Sequence, residues 1–402
     1  MRFIDITQPF SLFKLADAFG NPKPLKRVLS LMRSYGCMSI AVQPLHDCIP
    51  CQLFTKCLRD RHSIKTIDRS CCRMLFFKSS VKNLQGVKEN RDSFLGYVDI
   101  FSSHHDRVKS PFSYDDLSYI HGAIISCPPI DTYFIKSKRL CDVSVDGGIT
   151  LTVEGSFFNQ QNQIFDGCVH TSIKNAIWNL LGQKVHADQL EKLGKFNKDN
   201  STISVTFPEV REFLKQFNIT LFAFDFEKKE GIDDATFQQL VYYAVESGFP
   251  VILGIRLLAD AGHVVTVVGH TFNKDTWLPE AERDYFKIKS VKQIEYIPSV
   301  AWVNNFIVQD DNYGPYYCLP IKSLQNNISF VAALTDFHGN LYGNRAEYLA
   351  AAVLYNTLEK LTNNLRAQGQ STGGYWFDVL IRHWETKKLI FRTLYTKKQK
   401  IP

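Results

Sequence analysis

A change of hydrophobic period along the chain most constrains its fold. Apolar residues fall at Val169, Ile173, Ala176, Ile177, Leu180 and Leu181, the spacing of one helix face, and Gly182 follows where a helix cap belongs. Two further helices are expected, from Pro208 to Asn218 and over Asp234–Ser247. The first is opened by a first-turn proline and the second is closed by Gly248. Elsewhere the period drops to two. Ile219–Phe226, Val251–Leu258, His263–Val268 and Phe306–Gln309 are rich in β-branched or aromatic residues and read as strands. A helix-led segment followed by strands is the order of an α+β fold.

On either side of this core the patterns differ. Residues 1–148 alternate short β-like runs with loops and read as an N-terminal α+β domain, accessory or regulatory. Its strands are expected at Met38–Val42, Arg73–Phe77, Phe94–Phe101 and Ala123–Ser126, and the region as a whole is β-rich. The basic stretch between Cys48 and Ser70 has helical character, and Lys82–Asp92 is polar enough for an exposed loop. Ile149–Glu154 alternates apolar and polar residues and opens the core unit, residues 149–325. Residues 326–402 read as a helical extension: a long pattern over Arg345–Arg366, a strand-like or helical run Trp376–Trp384, and a solvated basic end at Lys397–Lys400.

Composition removes several classes of function. A chain of 402 residues with 45% apolar and 22% charged residues buries a substantial core. A net charge of +7 is mild at this length, no basic stripe carries interleaved aromatics, and no nucleic-acid partner is expected. The most apolar stretch, Val251 to Val268, is broken by Arg256, Asp260 and His263, so no membrane span is expected. The first residues lack a signal-peptide pattern. With ten cysteines, the chain is therefore expected to be cytoplasmic with reduced thiols. No glycine-rich phosphate loop follows a strand, and no cofactor is expected.

Three short runs carry chemistry. In Asp166-Gly167-Cys168-Val169-His170 a cysteine stands where a loop ends and a helix starts, at the positive end of the helix dipole, which favours a thiolate. The plainer alternative is a buried cysteine packing as a small hydrophobe. In Ala261-Gly262-His263-Val264 a histidine opens an apolar strand, a rigid place for a base. His270, at the far end of the same run, serves as an internal control and is expected to be a packed residue or part of a turn. In Phe306–Tyr316 a strand ends in Asp310-Asp311-Asn312 before Gly314-Pro315. A carboxylate there can hold an imidazole in one tautomer, although the same residues make a good turn. Strand neighbours face opposite ways, so only one of Asp310 and Asp311 is expected to face His263 if the strand continues.

Taken in this order, the runs resemble those of the papain-like cysteine peptidases, over about residues 150–325. The closer likeness is to the bacteriocin-leader (double-glycine) type, in which Gly-His precedes an apolar strand and the third residue is aspartate. A further similarity is to bacterial proteins carrying this core, through Phe158-Asn159-Gln160-Gln161, Cys168…Trp178 and Arg73-Met74-Leu75-Phe76-Phe77. The resemblance implies a papain-like core, a cysteine-bearing helix packed on an antiparallel sheet that carries the histidine and the acid. It further implies hydrolysis of a peptide or isopeptide bond in a peptide or protein substrate, through a Cys168 thioester with His263 as base. Laid over the family's Asn-Ser-Trp-Gly run, Asp311-Asn312-Tyr313-Gly314 gives Asp311 the orienting place, with Asp310 and Asn312 as alternatives. The family's oxyanion glutamine corresponds to Gln161, with Gln160 close behind and Gln163 also available. Val169 departs from the glycine or alanine usual after the cysteine and narrows the site without removing a required group. The same triad serves a deamidase or transglutaminase, and a silent papain-like binding module is a third possibility.

Other signals are weaker. Cys37, Cys48, Cys51, Cys57, Cys71 and Cys72 cluster in sequence, but a second Cys-x-x-Cys is missing and adjacent cysteines chelate poorly, so no metal is expected. His104-His105-Asp106 reads as surface loop.

Overall fold

A computed structural model describes residues 1–6, 11–20, 22–45, 52, 68–104, 116–161, 167–185, 187–190, 193–197, 202–226, 234–257, 262–273, 288–289, 295–296, 298–336 and 343–368. In chain order the first part holds β1 (Arg2–Asp5), α1 (Ser11–Asp17), α2 (Lys23–Ser34), β2 (Ser39–Pro44), β3 (Asp68–Phe77), α3 (Leu84–Glu89), β4 (Phe94–His104), β5 (Asp116–Ser126), β6 (Tyr133–Ile135), β7 (Arg139–Val145) and β8 (Ile149–Phe158). There follow α4 (Cys168–Leu181), α5 (Ala187–Leu190), β9 (Lys195–Asn197), β10 (Thr202–Ser204), α6 (Phe207–Lys215), β11 (Thr220–Asp225), α7 (Asp234–Glu246), β12 (Val251–Arg256) and β13 (Gly262–Thr271). The remainder is β14 (Ile288–Lys289), β15 (Glu295–Tyr296), β16 (Asn305–Asp310), β17 (Gly314–Pro320), β18 (Ile328–Thr335) and α8 (Gly343–Ala367).

Two large antiparallel sheets organise these elements. The first runs β1-β2-β3-β4-β5-β8-β7, and the second β11-β18-β12-β13-β16-β17 with β6 added beside the end of β13. Helices packed on antiparallel sheets are what an α+β chain builds. The helices expected over 169–181, 208–218, 234–247 and 345–366 and the strands around 219, 251, 263 and 306 all form, displaced by a few residues at their ends.

Three observations differ from the sequence reading. Lys82–Asp92 is not a plain loop: Asn83 accepts from the Gly86 amide with its side chain and starts α3. The helices α1 and α2 interrupt the β-rich N-terminal region. In α2 Leu25, Val28, Leu29 and Met32 are fully buried at helical spacing behind Pro22 and Pro24. The third concerns the unit boundaries. The strand β8, placed at the start of the core unit, pairs with β5 and β7 of the first sheet, and β18, beyond residue 325, sits between β11 and β12 in the second. Local periodicity reveals a strand but not its partner. Trp376–Trp384 and the basic end lie outside the described residues.

The second sheet is covered on both faces. Val265 and Val267 of β13 pack with α7 through Phe237 and Val241, while Val264 on the opposite face packs with Ile173, Ala176 and Ile177 of α4. The helix α4 also reaches the first sheet: Trp178 stacks on Phe157 at 5.4 Å and Asn179 Oδ1 accepts from the Phe157 amide at 2.7 Å. Tyr316 ties the sheets at a second point. Its buried hydroxyl accepts from Ser156 N at 2.8 Å and donates to Ile125 O at 2.9 Å. Among the described residues, no helix is long and apolar enough to cross a membrane.

Candidate active site

Cys168 is the first residue of α4, with Gly167 as N-cap in an extended conformation. The His170 ring braces this start: its Nδ1 accepts from Gly167 N at 3.3 Å and its Nε2 donates to Leu193 O at 2.8 Å. One turn in, Ser172 Oγ donates to Val264 O at 3.1 Å, and Thr266 Oγ1 returns a bond to Ser172 O at 3.1 Å. These two bonds fasten the helix start to β13 beside His263, the residue before Val264. The half-buried thiol and the imidazole therefore meet through a rigid helix–strand contact.

The acid comes from β16. The strand ends at Asp310, with its pairing to β17 shifted between Val308 and Asp310, so Asp311 already lies in the turn. The condition under which only one aspartate could face His263 is thus not met. His263 Nε2 lies 3.3 Å from Asp310 Oδ1 and 3.7 Å from Asp311 Oδ1, both close ion-pair distances, without the alignment of a hydrogen bond. Asp310 Oδ1 also accepts from the Asn312 and Tyr313 amides at 2.8 and 3.1 Å, which makes it the better fixed of the two. Both oxygens of Asp311 lack a hydrogen-bond partner in the protein, with the Asp311 and Asn312 amides leaning toward them short of bonding geometry.

The electrostatics follow from this crowding. Burial disfavours a charged His263 ring, yet the contacts with Asp310 and Cys168 and the charges of both aspartates outweigh it and carry the imidazole up to about 10. Burial pushes the Asp311 carboxyl up to about 7; His263 opposes the rise and Asp310 adds to it.

The turn is clamped by the N-terminal region. Arg27 of α2 donates to Tyr316 O at 2.8 Å, and Gly314, at φ +109°, lies where an added Cβ would come within 2.7 Å of Arg27 Cβ. Gln309 Oε1 accepts from Tyr316 N at 3.2 Å. Sequence reasoning missed Arg27, although the α2 periodicity that would have placed it was present.

The other candidates fall elsewhere. Gln160 Oε1 accepts from Ile120 N at 3.1 Å, so its carbonyl is committed to the first sheet. Gln161 is half-buried just past β8, while Gln163 and Asp166 lie outside the described residues. Cys48, Cys51 and Cys57 also lie outside them, as do His105 and Asp106. Burial pushes the Cys37 and Cys72 thiols up to about 11, which suits packed thiols better than ligands. His270 is fully buried, with Nε2 bonded to Glu246 and its ring stacked on Phe134. No protein-family model, no curated protein and no solved structure matches the chain.

Proposed function

We propose that this chain is a cysteine peptidase with a papain-like core, hydrolysing a peptide or isopeptide bond through a thioester on Cys168. The observation that carries the proposal is the meeting at His263 of the Cys168 thiol and two buried carboxylates, the latter at its Nε2. In this scheme Nε2 faces the acids and Nδ1 holds the proton given up by the thiol, so that the resting imidazolium lies beside the negative charge it needs. The thiolate attacks the carbonyl carbon at the start of α4, and the Cys168 amide and the Gln161 side chain are assigned as the donors to the oxyanion. The tetrahedral species collapses as His263 returns its proton to the leaving amine. Water then attacks the thioester, with His263 again as base, and releases the acid and the free thiol. Asp310, the nearer and better-held acid, is the orienting group in this scheme, and Asp311 is the alternative.

The test is mass analysis of a peptide library after incubation with the wild-type protein and with Cys168→Ala. Cleavage by wild type alone is expected. Deamidation or crosslinking in place of cleavage would keep the thiol chemistry but assign a different acceptor. Equal product with both proteins would remove Cys168 from the reaction.

A further inference from the structure

The acid turn carries one carboxylate more than acyl transfer uses. Asp310 is enough to orient His263, while Asp311 is only 3% exposed and neither of its oxygens has a hydrogen bond. His263 Nε2 is likewise without a hydrogen bond. Two buried carboxylates against one imidazole are costly to keep charged away from water, and either a proton on Asp311 or a bound cation relieves that cost.

The donor types, more than the distances, select the kind of cation. When nitrogen and oxygen donors lie about 2.0–2.1 Å from a tetrahedral zinc ion, neighbouring donors stand about 3.3–3.4 Å apart. Here the nitrogen stands 3.3 Å from one carboxylate oxygen and 3.7 Å from the other, and the three donor atoms all lie within 4.8 Å of one another. One imidazole with two carboxylates is too few oxygens for calcium and suits zinc. We infer that His263 Nε2, Asp310 and Asp311 form a zinc-binding site.

Zinc bound at Nε2 confines the ring proton to Nδ1, which then cannot accept the proton of Cys168. Occupation of the site therefore stops His263 from taking up a proton and returning it to the leaving amine, and switches the reaction off reversibly. The binding stands apart from the acyl-transfer reading; the inhibition rests on it.

The full chain, carrying Cys48→Ser and Cys51→Ser to remove competing thiolates, is dialysed against zinc sulfate and examined by zinc-edge X-ray absorption. The site predicts about one equivalent in a nitrogen and oxygen shell at about 2.0–2.1 Å. Asp311→Asn, checked for an unchanged thermal melt, should weaken that binding by more than about tenfold. A sulfur shell at about 2.3 Å, or zinc affinity unchanged from the parent in both Asp311→Asn and Asp310→Asn, would overturn the site. Should either variant fail to fold, the wild-type spectrum still decides. Zinc is also expected to suppress cleavage of the peptide library. Binding with the expected shell but unchanged cleavage would leave the site standing and refute the inhibition.

Discussion

Strand β13 carries a histidine at each end, and the two rings stand in opposite circumstances. At the far end, His270 Nε2 is bonded to Glu246, whose other oxygen lies 3.1 Å from Lys136 Nζ; the ring's Nδ1 bonds to Thr271 O, and Phe134 and Tyr242 pack against it. Every polar atom of that ring is satisfied and none reaches solvent. At the near end, His263 lies against a thiol and two carboxylates, with Nε2 without a hydrogen bond and the residue 9% exposed. Both are histidines in apolar strands beside acids. A completed network fixes structure, whereas an incomplete one leaves groups available to a substrate or an ion.

The largest effects should separate the two rings. His263→Ala is expected to slow acylation of Cys168 by an activity probe by about 10²–10⁴-fold with little change in thermal melting. Glu246→Ala, which strands His270 and Lys136, is expected to cost about 3–5 kcal/mol of stability and to leave labelling of the folded protein unchanged. The reverse pattern, measured by melting and labelling on the same preparations, would exchange the roles given to the two ends of β13.

A second pair makes the same contrast between adjacent glutamines. Gln161→Ala should reduce acylation by about 10²–10³-fold, the usual cost of one oxyanion donor. Gln160→Ala removes an acceptor for Ile120 N and should lower stability by about 0.5–1.5 kcal/mol, with acylation kept. Loss of acylation in Gln160→Ala alone would shift the oxyanion assignment by one residue.

The smallest effects distinguish the acids. Asp310→Ala should slow acylation by about tenfold or more, yet by far less than the 10⁴-fold seen when a serine triad loses its acid to an amide, because thiol chemistry depends less on that charge. Asp311→Asn should leave most of the activity. If Asp311→Asn proves the more damaging, Asp311 takes the orienting place.

Much of this was legible in sequence because its signals are local. The α4 periodicity, the glycine before His263 and the acid pair after an apolar run each report their own element, and the structure brings these elements together. What escaped is what depends on distant partners. Nothing within Ile149–Phe158 reveals that β8 pairs with β5 and β7. Arg27 acts on the acid turn from 289 residues away, through a bond to the backbone of Tyr316. The choice between Asp310 and Asp311 turned on where β16 ends, and that end is fixed by Asp310 folding back onto the Asn312 and Tyr313 amides.

The central claim is that Cys168 is a nucleophile made ready by His263. It is tested most directly by iodoacetamide labelling of the folded chain at mildly acid pH, with mass mapping of all ten cysteines. The account predicts that Cys168 is alkylated ahead of the other nine in the wild type, and that His263→Ala abolishes this lead while the melting temperature holds. Uniform labelling, or a lead that persists without His263, would contradict it and leave Cys168 a packed thiol at the start of a helix.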